Sequence, residues 1–346
     1  MITRRTLVAG ACASVAAGAP KSIGIRGMYG SPKAFWARGA KLSDYGVNAL
    51  FVHAGSITAE LMERAAAEGA RVFAEFPTLN GKGYVEKHEE AWPINSAGVK
   101  APAATWFLGA CPSDRAFREW RMGELVKLIE RFPLSGVWMD YFHWHAQFEE
   151  PEPILPETCF NSSCIEAFEK YSRVVVPPGT AADRAQWILT NVERRWREWR
   201  VEHLTGWARE VKQIVRSRRP EALVGVYHCP WTDIEYDGAR RSVLGLDFDK
   251  LLSVVDVFSP MVYHGRMKRS PEWVGEYVQW MSRKLRGRKK IWPIVQAHEV
   301  SAAEFEKVLA LGASGAATGV MMFTAQSIAS DDQKMAAMQR LYRSLR

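Results

Sequence analysis

The feature that most constrains this chain is a series of eight short apolar segments separated by helix-like stretches. They lie at 24–30 (GIRGMYG), 48–53 (NALFVH), 71–76 (RVFAEF), 136–144 (GVWMDYFHW), 223–231 (LVGVYHCPW), 257–264 (VFSPMVYH), 290–298 (KIWPIVQAH) and 319–324 (GVMMFT). Each is apolar nearly throughout, as expected of strands buried on both faces. The stretches between them carry apolar residues at helical spacing, for example Leu61, Met62, Ala65 and Ala66. Eight strand–helix units predict an α/β fold, a (β/α)₈ barrel. An open doubly wound sheet is the alternative. No glycine-rich phosphate turn follows the first segment, which favours the barrel.

Such a barrel takes about 250 residues plus insertions. The chain has 346, so 20–346 is expected to form one barrel domain. Two connections are too long for simple turns: 77–112 after strand three and 145–163 after strand four. Long loops without structure of their own are uncommon unless they serve function.

The N-terminus reads Thr3-Arg4-Arg5-Thr6-Leu7-Val8 and continues as a small apolar stretch to Ala19. This is the pattern of a twin-arginine signal peptide, expected over 1–19, and it points to the periplasm or secretion. The apolar stretch is shorter than the roughly 20 residues of a membrane span, so no stable membrane insertion is expected. The net charge is +8, but the basic residues fall in mixed runs such as Glu193–Glu198. These read as solvated helix faces, and no nucleic-acid motif accompanies them.

Barrel sites form at the C-terminal ends of the strands. Reading those ends gives Glu75 on strand three and Asp140, Tyr141, His143 and His145 on and just past strand four. Strand five adds His228 and Trp231, strand six Tyr263 and His264, and strand seven Gln296, His298 and Glu299. Six of the eight histidines (His53, His143, His145, His228, His264, His298) map to this one rim, which suggests a polar, ligand-binding floor. Asp140 is the sharpest candidate. A carboxylate ending an apolar strand must meet a donor, water, metal or substrate, because burying it alone is costly.

Residues 136–164 resemble the glycoside-hydrolase-like barrels of bacteria. In those, an apolar strand ends in Asp and an aromatic residue, and the next loop carries Cys-Phe-Cys-x-x-Cys. The 259–263 segment (SPMVY) is similar to the sixth strand of such barrels. The resemblance implies a carbohydrate site. Here the middle cysteine is replaced by Asn161, leaving Cys159 and Cys164. A disulfide or a plain loop is therefore expected in place of a three-cysteine metal clip, and no metal or cofactor is expected.

Three functions compete. A glycoside hydrolase needs two carboxyl groups flanking the scissile bond. Asp140 is the expected nucleophile or base. Glu299, or an acid among Asp233, Glu235 and Asp237, is the expected proton donor. Trp92, Trp106, Trp144 and Trp231 are candidates to stack on sugar faces. A metal-dependent hydrolase would use His143, His145, His228, His264 and Asp140. A barrel that holds a glycan without cutting it is the third.

Overall fold

The computed structural model describes residues 22–104 and 106–345. The expected signal peptide at 1–19 lies outside the described residues. Eight parallel strands follow one another: β1 (Ile25–Tyr29), β2 (Ala49–His53), β3 (Arg71–Pro77), β4 (Gly136–Asp140), β5 (Leu223–His228), β6 (Val257–Val262), β7 and β8 (Gly319–Phe323). β7 comes in two pieces, Lys290–Ile291 and Ile294–Gln296, interrupted at Trp292-Pro293. Proline has no N–H to give to a ladder. Each strand pairs with the next in parallel, and β8 pairs back onto β1. The sheet therefore closes into a (β/α)₈ barrel.

The helices sit where the apolar spacing places them, with caps that explain their starts. Thr58 accepts from the Leu61 amide to open Ala59–Ala67. Ser301 accepts from Glu304 to open Ala302–Gly312. The helix Arg115–Arg131 is capped by Asp114, which accepts from Phe117, rather than by Ser113. A side-chain oxygen at this position satisfies one of the otherwise orphaned first-turn amides.

The barrel interior is built from large rings and missing side chains. Inward-facing residues alternate along each strand. One layer contains Phe51, Phe73 and Trp138, with Trp292 from the break in β7. Trp138 and Trp292 stack at 5.2 Å, and Phe51 and Phe73 at 4.9 Å. Glycines face these rings. A Cβ on Gly225 would stand 2.2 Å from the Trp138 ring, and one on Gly27 2.8 Å from Phe51. Ring and glycine together fill the interior at native density. Both indole N–H groups here are satisfied: Trp138 Nε1 donates to Ser259 Oγ at 2.9 Å and Trp292 Nε1 to Thr318 Oγ1 at 3.0 Å.

The two long insertions are ordered against each other. Asn95 bridges to Thr158, the Ser96 amide donates to the Glu157 carbonyl, and Phe160 donates to Ile94. Both reach over the C-terminal ends of the strands. No helix among the described residues is long and apolar enough to cross a membrane.

Candidate active site

Strand parity decides what the site contains. Residues two apart on a strand share a face, so the last inward-facing residue of each strand sits directly above the aromatic layer. Tyr29 stands above Gly27, Glu75 above Phe73, Asp140 above Trp138, Tyr227 above Gly225, Met261 above Ser259 and Phe323 above Met321. Apart from Glu75, which lies beneath, these residues form the floor of a cleft made of two adjoining hollows, the roomier of about 320 Å³. That volume is at the small end of ligand pockets. Trp106, Phe107, Tyr141, His143 and residues 146–149 wall it, with Tyr263 and Arg266 opposite.

The chemistry centres on a buried carboxyl pair. Asp140 is 8% exposed and Glu75 5%, and the two carboxyl groups are close enough to shift each other's titration. Tyr29 donates its hydroxyl to Glu75 Oε2 at 2.7 Å, and the Tyr141 amide donates to Asp140 Oδ1 at 2.8 Å. Burial, and then the charge of Glu75, hold the Asp140 carboxyl well above the usual carboxylate range. Burial also raises Glu75, but hydrogen bonds from Tyr29 and Asp140 offset part of this. The pair therefore shares a proton, as expected when two acids cannot both ionise in one dry site.

Glu149 is a third acid on the same cleft. It is pushed up to about 7, chiefly by burial, although Arg266 pulls the other way through an ion pair at 3.0 Å. Its side chain still keeps 23% exposure. Tyr227 and Tyr263 are held in the neutral phenol form by burial and the nearby carboxylates. Tyr141 stacks on Phe107 at 5.2 Å and 8°.

The expected site residues divide. Glu75, Asp140, Tyr141, His143 and Tyr263 are at the cleft or directly beneath it. His143 donates through Nδ1 to the Trp144 carbonyl at 2.7 Å, and burial lowers its pKa to about 4. The ring is thus neutral, with Nε2 left as an acceptor. His298 lies behind the wall, against Phe323 and Tyr263. Gln296 accepts from the Arg266 amide and donates to the His298 carbonyl, so it positions Arg266 from below.

The others serve the scaffold. β4 ends at Asp140, and Tyr141 turns with φ 49°. His143 and His145 therefore lie past the strand and do not converge as a strand pair. His145 accepts from the Gly109 amide through Nδ1 and donates to the Pro102 carbonyl through Nε2. This pins the first insertion. His228 has the opposite parity to Tyr227, so it points out of the barrel and packs on Phe248 and Phe258. His264 is fully buried and donates to Glu304 at 2.8 Å. Trp231 packs behind Phe148 against Tyr236.

Glu299, expected as the second acid, stands apart. Its side chain is 77% exposed, its charged neighbour is His298 at 3.8 Å, and it does not line the cleft. It occupies a left-handed turn, φ 56°, just before the helix capped by Ser301. In the strand-five loop, Asp233 pairs with Arg240, and Glu235 caps its own turn and pairs with Arg269. Of the four tryptophans expected to stack on sugar, Trp106 lines the cleft and is 47% exposed. Trp144 is buried against Trp199.

No family model and no curated protein matches this chain. Solved structures do. The PgaB (BpsB) glycoside hydrolase domain from Bordetella bronchiseptica aligns with TM-score 0.64 at 12% identity, over 89% of this chain and 91% of that one. A catalytic mutant of Gan42B, a GH42 β-galactosidase from G. stearothermophilus, aligns at 0.66 and 14% identity, over 93% and 56%. The β-galactosidase from Marinomonas ef1 aligns at 0.65 and 12% identity, over 92% and 58%. The chain thus spans little more than half the length of these β-galactosidases. At such identities the likeness establishes a barrel fold shared with glycoside hydrolases.

Proposed function

We propose that this chain is a glycoside hydrolase acting on an oligo- or polysaccharide, with Asp140 as proton donor and Glu149 as the ionised partner that activates water or attacks the sugar. The observation that carries this reading is the buried Glu75–Asp140 pair, which presents Asp140 at the floor of an aromatic-walled cleft and holds a proton between two acids. A glycosidic oxygen is a poor leaving group as an alkoxide and needs such a donor to depart as an alcohol. Glu75 with its Tyr29 hydrogen bond holds that proton in place. His143 Nε2, Tyr227 and Tyr263 are positioned to meet sugar hydroxyls, and Trp106 offers a face for a pyranose ring.

The roles differ from the sequence expectation, in which Asp140 was nucleophile or base. Burial beside a second acid supports the donor role in this reading. The metal-hydrolase alternative loses its ligand set, because both nitrogens of His145 are taken by backbone groups and His228 and His264 point elsewhere. We further propose that the protein is exported and acts outside the cytoplasm, as its twin-arginine pattern suggests.

The test is turnover of a broad panel of glycans and aryl glycosides by wild type, Asp140→Asn and Glu149→Gln, each with and without a chelator. Either substitution is expected to lower kcat by about 10²–10⁴-fold, the usual worth of a positioned acid or base. No metal takes part at the reacting centre in this reading, so each substitution is expected to lower kcat by the same factor with and without the chelator. Glycan binding without turnover in the wild type would make the cleft a recognition site and overturn the catalytic reading.

A further inference from the structure

Away from the cleft floor, three cysteines from the two insertions meet. Cys111 ends the first, and Cys159 and Cys164 bracket the start of the helix Ser162–Ser172. All three are fully buried with free thiols, and one sulfur from each lies within 4.8 Å of the others. Cys111 Sγ is 3.4 Å from Cys164 Sγ. Thiolates bound tetrahedrally at about 2.3 Å to one ion stand roughly 3.8 Å apart, so little movement separates this cluster from a ligand set. The likeness to the Cys-Phe-Cys-x-x-Cys loop had left a pair. The fold supplies the third thiol from a different loop.

The residue in the middle position, Asn161, lies against the cluster at Cys159. Its Oδ1 lies 2.6 Å from Cys159 Sγ. Its orientation is fixed on three sides: Nδ2 donates to the Glu90 and Trp92 carbonyls, and Oδ1 accepts from the Ile94 amide at 2.8 Å. An amide oxygen has two acceptor sites, so one remains directed at the sulfurs.

We propose that Cys111, Cys159 and Cys164, with Asn161 Oδ1 at the fourth corner, hold one thiophilic divalent cation, zinc rather than calcium or magnesium. Thiolate donors select soft ions, whereas calcium and magnesium take oxygen ligands. Four protein ligands make a closed, structural site with no position for substrate. Its place explains its use. It joins the insertion that carries Trp106 and Phe107 to the loop that carries Tyr141, His143 and Glu149, so both walls of the cleft are tied at one point. Binding displaces the thiol protons to solvent, and no oxidant or reductant is required.

The test is titration of the full chain, reduced and stripped of metal, with Co²⁺ and then Zn²⁺. One equivalent of cobalt should give tetrahedral visible bands and thiolate-to-cobalt charge transfer, release protons, and be displaced by zinc. Zinc should also slow the reaction of three of the five thiols with a thiol reagent, leaving Cys12 and Cys229 as before. Cys111→Ser should abolish the charge-transfer band. Asn161→Ala should keep the one-to-one stoichiometry and weaken binding about 10–100-fold, the scale of a supporting ligand contact. Asn161→Cys should tighten binding and strengthen the charge-transfer band. Absence of the band at saturating cobalt, or its survival in Cys111→Ser, overturns the site. Unchanged affinity in both Asn161 variants overturns the fourth ligand. If Cys111→Ser fails to fold, the wild-type titration and the Asn161 variants still decide. No readout uses turnover, so the result stands apart from the glycosidase reading.

Discussion

At the scale of single residues, the acids of the cleft make activity and stability move in opposite directions with pH. Glu149 has a folded-state value of about 7, raised mainly by burial. A carboxyl whose folded value is raised binds its proton more tightly in the folded state than in the unfolded one. Its stabilising contribution is fully present below the unfolded value, about 4.3, and is lost as pH rises through the folded value. Melting temperature is therefore expected to fall between about pH 4 and 7, and Glu149→Gln should flatten part of that fall. Catalysis needs Glu149 ionised, so kcat/KM should rise over the upper part of the same window. Paired melting and rate profiles on wild type and Glu149→Gln check both signs, and a rate that falls through pH 7 would remove Glu149 from the base role. Asp140 was legible in the sequence because it ends an apolar strand. His228 was misjudged because strand ends were read as consecutive residues, although only alternate ones face inward. Tyr227 was legible at the end of strand five, and the same parity applied to strand one points to Tyr29. Glu149 gave no such signal. It sits in a loop rich in Glu and Pro, and only the fold places it against Arg266.

At the scale of elements, the floor of the site depends on the layer beneath it. Tyr227 and Asp140 are held where they are because Gly225 lets β5 close onto the Trp138 ring beside it on β4. Gly225→Ala would place a methyl 2.2 Å from that ring. Neither the strand nor a fully buried indole can yield cheaply, so a loss of about 1–3 kcal/mol or more is expected. Gly123, inside the helix Arg115–Arg131, has open space where a Cβ would stand, with no atom within 4 Å, so Gly123→Ala should instead stabilise by about 0.5–1 kcal/mol. Denaturant midpoints of the two variants should move in opposite directions. A neutral Gly225→Ala would show that the interior is looser than its ring stacking implies. The strands and their order were readable from composition and spacing, since each is a short apolar run and each connection is helical. The pairing of the two insertions was not. Bridges such as Asn95 to Thr158 join residues far apart in sequence, and no local pattern records them. For the same reason the third thiol, Cys111, could not be assigned to the Cys159–Cys164 loop before the fold was known.

At the scale of the whole molecule, the thiol cluster and the N-terminal pattern bear on each other. The twin-arginine route carries proteins that have already folded. A chain exported this way would complete its three-thiol cluster in a reducing compartment and meet oxidising conditions with the sulfurs already buried. A chain threaded unfolded would expose the same cysteines to disulfide exchange before the insertions had paired. With Cys111 and Cys164 sulfurs 3.4 Å apart in the fold, these two are the pair most easily joined on refolding. Replacing the leader with one for unfolded export should therefore yield exported protein that has lost two free thiols and its cobalt charge-transfer band. The native leader should yield protein with the three clustered thiols intact after metal removal. Thiol counting and peptide mass mapping of both products decide the matter. Equal thiol content in the two would show that the export route does not protect the cluster. Failure of the native leader to carry the chain, with Arg4→Lys and Arg5→Lys making no difference, would overturn the export reading itself.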